Sequence, residues 1–113
     1  MHILYGIKNC DSVKKARLWL DENGVDYQFH DFRSDGLSLQ LVQDFIAKGS
    51  WEALLNKRST SWRQLRDEQK INLNAEKVAD LLLEYPTLIK RPVLVTDEQF
   101  FIGFNAATYQ TLL

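Results

Sequence analysis

The sequence predicts an α/β fold built on a mixed sheet. Three observations carry this. Two short strand-forming runs near the N-terminus are separated only by a stretch of helical periodicity. A proline-led apolar run and a hairpin partner return near the C-terminus. Everything between them has helical spacing and helix caps.

Taken in order, His2 to Tyr5 reads as a buried strand and Gly6 to Asn9 as the turn leaving it. Asp11 to Asn23 reads as a helix, with Val13, Ala16, Trp19 and Leu20 on one stripe and Asn23-Gly24 as the stop. Val25, Tyr27 and Phe29 alternate, which predicts a second strand over 25–29. A single helix joins the two strands, so they are expected to be parallel. Ser38 is a good N-cap for a helix carrying Leu39, Val42, Phe45 and Ile46, and Gly49 ends it. A short helix is expected over Trp51–Leu55. Ser61-Trp62-Arg63-Gln64 has the capping-box spacing of another helical turn or two. Trp51 and Trp62 are expected to pack inside this block. Asn74 caps a helix carrying Val78, Leu81, Leu82 and Tyr85, which Pro86 terminates. Pro92 to Val95 and Phe100 to Ile102 form a hairpin, and Asn105 caps a terminal helix with Ala106, Tyr109, Leu112 and Leu113 on its stripe.

The order βαβ, helical block, ββα is that of a thioredoxin-like fold. Residues 1–113 are expected to form a single such domain, with a helical insertion at about 33–89. By analogy with that fold, the Arg91-Pro92 bond is expected to be cis and to face the loop after the first strand.

The chain has 113 residues, 45% hydrophobic and 26% charged, with a net charge of −1. That size supports one core, and the near-neutral balance argues against nonspecific nucleic-acid binding. No apolar run is long enough to span a bilayer, and the N-terminus lacks the charged and apolar regions of a signal peptide. The chain contains one cysteine, so no internal disulfide can form, and a reducing cytoplasm is expected. His2 and His30 are not spaced as metal ligands, and His30 is expected to be structural. No metal and no bound cofactor are expected, and the chain is expected to be a monomer.

That one cysteine, Cys10, opens the first helix. A thiol at a helix N-terminus meets unpaired N–H groups and the positive end of the dipole, both of which favour the nucleophilic thiolate. Lys8 precedes it and Lys14 follows one turn later, so Lys8 is a candidate thiolate partner; Asp11 works the other way. Ser12 can cap the helix or bond the sulfur. Lys57 and Arg58 are expected to be exposed helix charges.

Three segments resemble the arsenate-reductase-like family, which includes arsenate reductases, Spx-type regulators and YffB-type thiol reductases. They are the Ile3–Lys15 strand, Asn-Cys and helix; the Trp51-Glu52-Ala53-Leu54-Leu55-Asn56-Lys57-Arg58 stretch; and Tyr85–Val95 with its Lys90-Arg91-Pro92-Val93 centre. The resemblance spans nearly the whole chain and is closest to the YffB-type subgroup through Lys8-Asn9-Cys10-Asp11-Ser12-Val13. It implies Cys10 as the catalytic thiol, with Lys8, Asn9, Arg58, Arg91 and Pro92 around the substrate or glutathione. Glutathione would be the co-substrate and glutathione or a glutaredoxin the partner. The glutaredoxin-linked arsenate reductases carry three arginines. Arg91 matches one; the second falls at Asn56, with Arg58 two residues on, and the third falls near Gly103 with no cation nearby in sequence, so with one arginine lost and one displaced arsenate reduction is expected to be weak or absent. Spx-type regulators carry a C-x-x-C switch, and Val13 occupies its second position. The reading implied is a glutathione-dependent thiol reductase resolved by an external thiol. Its alternatives are an arsenate reductase and a non-enzymatic Spx-like regulator that binds RNA polymerase.

Overall fold

A computed structural model describes residues 1–113. The chain divides into two compact units, Met1–Gly36 with Arg91–Leu113, and Leu37–Lys90.

The first unit is the sheet. Its strands are β1 (Ile3–Gly6), β2 (Gln28–Asp31), β3 (Val93–Val95) and β4 (Phe100–Ile102), in the order β2-β1-β3-β4. β1 runs parallel to β2 and antiparallel to β3, and β3 and β4 form the hairpin. This mixed sheet with its helices is thioredoxin-like. α1 (Asp11–Glu22) crosses from β1 to β2, as a parallel pair requires. α6 (Ala106–Tyr109) follows β4. Leu4, Ala16, Leu20, Leu94 and Tyr109 form the core, with Trp19, Phe29, Phe101 and Phe104 packed against it. Tyr109 is wholly buried, and Trp19 and Phe104 meet its ring edge-on at 5.6 and 5.0 Å between centroids. Burial holds its phenol well above the usual tyrosine range. Arg91-Pro92 is cis, as the fold analogy predicts.

The second strand lies later than the alternation predicts. Val25 to Tyr27 precede it, and pairing of Ile3 with Gln28 sets its start. The Val25 N–H instead bonds the Leu20 carbonyl and closes the end of α1. Local alternation cannot distinguish the ladder from the packed turn leading into it.

The second unit is helical: α2 (Leu39–Lys48), α3 (Trp51–Leu54), α4 (Thr60–Gln64) and α5 (Ala75–Glu84). α2 and α5 pack together through buried Val42, Phe45, Val78 and Leu82. Ser38 and Asn74 cap them as expected. α4 begins two residues earlier than the capping-box spacing implies, because Ser59, not Ser61, is its N-cap and accepts the Trp62 N–H. Ser61 instead pairs its hydroxyl with Thr87. Lys57 and Arg58 lie in the turn between α3 and α4, not on a helix. Trp62 is half-buried rather than a core residue, with the ammoniums of Lys57 and Lys70 at 5.6 and 5.5 Å from its ring centre.

No helix is long and apolar enough to cross a membrane.

Candidate active site at the start of the first helix

The site begins with a glycine. β1 ends at Gly6, where a Cβ would sit 2.6 Å from Val13 Cγ2. Val13 is fully buried, so it cannot swing away. The missing side chain lets the strand end approach α1 closely. Ile7, Lys8 and Asn9 then turn the chain, and the Cys10 N–H bonds the Ile7 carbonyl at 3.2 Å.

Cys10 is the N-cap of α1, with extended backbone (φ −95, ψ 129), and its carbonyl accepts the Lys14 N–H at 3.0 Å. The sulfur makes no capping bond of full geometry. It nevertheless lies under the influence of the N–H groups at the helix start. Burial alone would raise its pKa. The Val13 N–H, the Arg91 guanidinium by hydrogen bond and by charge, and the Ser12 N–H outweigh that and bring it below the free-thiol value.

Arg91 reaches the thiol through the sheet. β1 and β3 are antiparallel, with Leu4 opposite Leu94 and Tyr5 opposite Val93. Continuing that register sets Pro92 at the level of Gly6 and carries Arg91 to the Cys10 loop. The Pro92 carbonyl accepts the Gly103 N–H at 2.8 Å, which fixes the β3 end.

Lys8 and Asn9 are exposed. The Lys8 ammonium is not among the groups that stabilise the thiolate, contrary to the expectation from its position. An exposed ammonium on a flexible stem is screened by water and salt, whereas a guanidinium bonded to the sulfur is not. Ser12 acts through its backbone N–H, not its hydroxyl. Arg58 belongs to the helical unit. The positions of the displaced and the lost family arginine are also explained in part. Asn56 donates its backbone N–H to Leu88 and accepts Arg58 N–H at its side chain. Gly103 has φ +77, a conformation that an arginine adopts only under strain.

A buried carboxylate outside the sequence-predicted set supports this loop. Asp31, at the end of β2, is buried and its carboxylate accepts three backbone N–H groups. They come from Arg33 at 2.7 Å, Lys8 at 3.1 Å and Ser34 at 3.4 Å. The Lys8 bond ties the loop before Cys10 to the neighbouring strand, so Asp31 is a positioning residue. Burial would raise its pKa; the donors from Arg33, Lys8 and Ser34 outweigh that and lower it. The signal available in sequence was the Asp31-Phe32-Arg33-Ser34-Asp35-Gly36 cluster, which reads as an Asx turn. Its bond to Lys8 needed the β1–β2 pairing to be visible. His30 bonds the Gly36 carbonyl at 2.7 Å and packs on Tyr5, in keeping with a structural role.

The profile of the ArsC family matches residues 5–112. A protein of Haemophilus influenzae is 44% identical over 110 residues, which is 97% of this chain and 96% of its own. The solved structure of the YFFB protein superposes with a TM-score of 0.94 at 40% identity, covering 98% of this chain and 97% of its own. The global transcriptional regulator Spx of Lactiplantibacillus plantarum is 28% identical over 108 residues, covering 93% of this chain and 80% of its own.

Proposed function

The chain belongs to the ArsC family, and we propose that it is a glutathione-dependent thiol reductase with Cys10 as its nucleophile. The observation that carries this reading is a thiol of lowered pKa, bonded to Arg91 at a helix start, in a chain with no second cysteine.

The cycle follows from that chemistry. The Cys10 thiolate attacks the glutathione sulfur of a mixed disulfide, R–S–S–G. The substrate leaves as RS⁻, which takes a proton from solvent, and Cys10 carries the glutathionyl group. With no resolving cysteine in the chain, a second glutathione thiolate attacks that group. Cys10 leaves as the thiolate and oxidised glutathione departs. One disulfide is reduced and one is formed. A glutaredoxin thiol can replace the second glutathione.

A lowered pKa matters more for leaving than for attack. Lowering it raises the thiolate fraction at pH 7 but also weakens the nucleophile, with a Brønsted slope of about 0.5, so the two effects on attack largely offset each other. The same shift makes Cys10 a better leaving group in the resolving step. In this scheme the Arg91-Pro92 backbone docks the glutathionyl chain, Arg91 pairs with a carboxylate, and Lys8 and Asn9 border the site. The protein holds no resident cofactor and works in the cytoplasm as a monomer.

Mass spectrometry after incubation with oxidised glutathione tests the reading. One glutathionyl adduct should form on wild type, be absent in Cys10→Ser, and disappear on adding reduced glutathione. An unmodified protein, or an adduct that reduced glutathione leaves in place, would rule it out. Arsenate turnover with glutathione and glutaredoxin should be weak or absent, since Asn56 and Gly103 replace two arginines. Robust arsenate turnover, lost in Cys10→Ser, would show that other cations complete the anion site.

The 28% identity to the transcriptional regulator Spx supports a second reading, a non-enzymatic regulator; by the resemblance its partner would be RNA polymerase. A stoichiometric polymerase complex indifferent to Cys10→Ser would support it over the enzyme.

A further inference from the structure

A cleft of about 330 Å³ lies wholly within the helical unit, lined by Leu55, Asn56, Lys57, Arg58 and Lys90. Two chain segments clasp to make it. Leu55 and Ile89 form an isolated antiparallel bridge. The Asn56 N–H bonds the Leu88 carbonyl, and the Lys90 N–H bonds the Leu54 carbonyl, both at 2.8 Å. Lys90 is thereby held beside the turn that carries Lys57 and Arg58. The turn itself is fixed, because the Asn56 side chain accepts the Arg58 N–H at 3.1 Å and the Ser59 hydroxyl bonds the Asn56 carbonyl at 2.9 Å. The Lys57 ammonium is steadied over the Trp62 ring.

Three cations therefore line the cleft, and no carboxylate does. None of the three takes part in the ion pairs Met1–Asp97 and Arg66–Glu68. Their mutual repulsion is relieved by an anion carrying comparable charge. The volume is at the small end of ligand sites. Arginine offers a fork that suits phosphate oxygens, and lysines suit it as point charges.

We propose that this cleft binds a diphosphate group. The inference goes beyond the thiol chemistry and does not depend on Cys10. Diphosphate is favoured over glutathione by charge matching. Glutathione carries one net negative charge and an ammonium that needs an acceptor, and the lining has no carboxylate to receive it. A diphosphate brings about three negative charges and only acceptors.

Calorimetry of the full chain with inorganic pyrophosphate tests the assignment, with amide NMR shifts mapping the site without any substitution. Expected are one-to-one binding in the submillimolar range and shifts concentrated at residues 55–58 and 90. Arg58→Gln and Lys90→Gln should each weaken binding about tenfold or more. Lys48→Gln, an equal charge change elsewhere in the unit, should change it little. Raising salt from about 0.05 to about 0.25 M should weaken it severalfold. Cys10→Ser should bind as wild type does, so failure here and failure of the reductase reading are separable. S-methylglutathione, which lacks a free thiol, should not displace pyrophosphate. Any one of three results would overturn the proposal: no binding at low salt, shifts scattered over the surface, or displacement by S-methylglutathione.

Discussion

Two strand-to-helix junctions in the sheet unit start their helices in opposite ways. After β4, Asn105 opens α6 and its side chain accepts the N–H groups of Ala107 and Thr108. After β1, Cys10 opens α1 and supplies no capping bond of full geometry. Ser38, Ser50, Ser59 and Asn74 cap the helices of the other unit with oxygen, as Asn105 does. The exception is the proposed nucleophile. A sulfur at this position caps poorly, but the same N–H groups that it fails to engage fully are what favour its thiolate. Capping energy at α1 is thus exchanged for a thiol of lowered pKa. Each junction also holds a glycine, for a different reason. Gly6 avoids Val13, whereas Gly103 has open space around it and needs its positive φ.

The largest expected effect comes from making the two junctions alike. Cys10→Ser should abolish glutathionyl adduct formation and disulfide turnover. It should also raise the melting temperature by a few degrees, since a serine cap is worth about 1 kcal/mol. A drop in melting temperature instead would mean that the Arg91–thiolate contact stabilises the fold more than a cap does.

Next is the cation that the first junction has and the second lacks. Arg91→Ala should lower glutathione-dependent turnover on the order of 10- to 150-fold if the contact is dry. It should also raise the thiolate transition followed by ultraviolet absorbance. Arg91→Lys should recover part of the loss, because an ammonium lacks the fork. An Arg91→Ala variant that melts and turns over as wild type does would make Arg91 a bystander.

The glycines differ by a smaller margin. Gly6→Ala should destabilise by about 1–3 kcal/mol in urea unfolding, the range for overpacking a core. Adding Val13→Ala should relieve the clash, so the pair should lose less than the sum of the single changes. Gly103→Ala should cost only about 1–2 kcal/mol from its backbone, with no rescue by a neighbour. Additivity of Gly6→Ala and Val13→Ala would contradict the close-contact account.

The smallest effect concerns the support behind the thiol. The pKa of Asp31 is lowered in the fold. Its stabilising contribution is therefore complete above the unfolded carboxylate value near 3.9 and is lost as pH falls through the folded value. Asp31→Asn should cost about 1 kcal/mol at neutral pH and lessen the loss of stability on acidification below about pH 4. It should also slow glutathione-dependent turnover mildly by loosening the Lys8 N–H. An unaltered acid profile would show that the three donors are not what lowers its pKa.

Much of this architecture was readable along the chain. Ser38, Asn74 and Asn105 cap as read, the apolar stripes of α1, α2 and α5 are the buried faces except at Leu39, which is exposed at the start of α2, and the order of elements holds. Local pattern failed where a neighbour decided. Ser59 displaced Ser61 as a cap because Ser61 had Thr87 to bond. The second strand began at Gln28 because its partner begins at Ile3. Lys57 and Arg58 proved to be turn residues, because Asn56 is tied to Leu88 and cannot continue α3.

The choice of Cys10 as the proposed nucleophile needed only the sequence. One thiol at a predicted helix start, in a chain with no second cysteine, leaves only an outside thiol to resolve a mixed disulfide in the proposed cycle, whatever the details of packing. Which charge meets that thiol needed the fold. Lys8 is the near neighbour in sequence, yet Arg91 is the near neighbour in space, because the antiparallel pairing of β1 with β3 brings the Arg91-Pro92 end to the Cys10 loop. Asp31 reaches Lys8 for the same reason, through the parallel pairing of β1 with β2. Helix starts are set by residues within a turn of one another and can be read from the chain. Strand pairing joins residues far apart in sequence, so the surroundings of the thiol were decided only when the sheet formed.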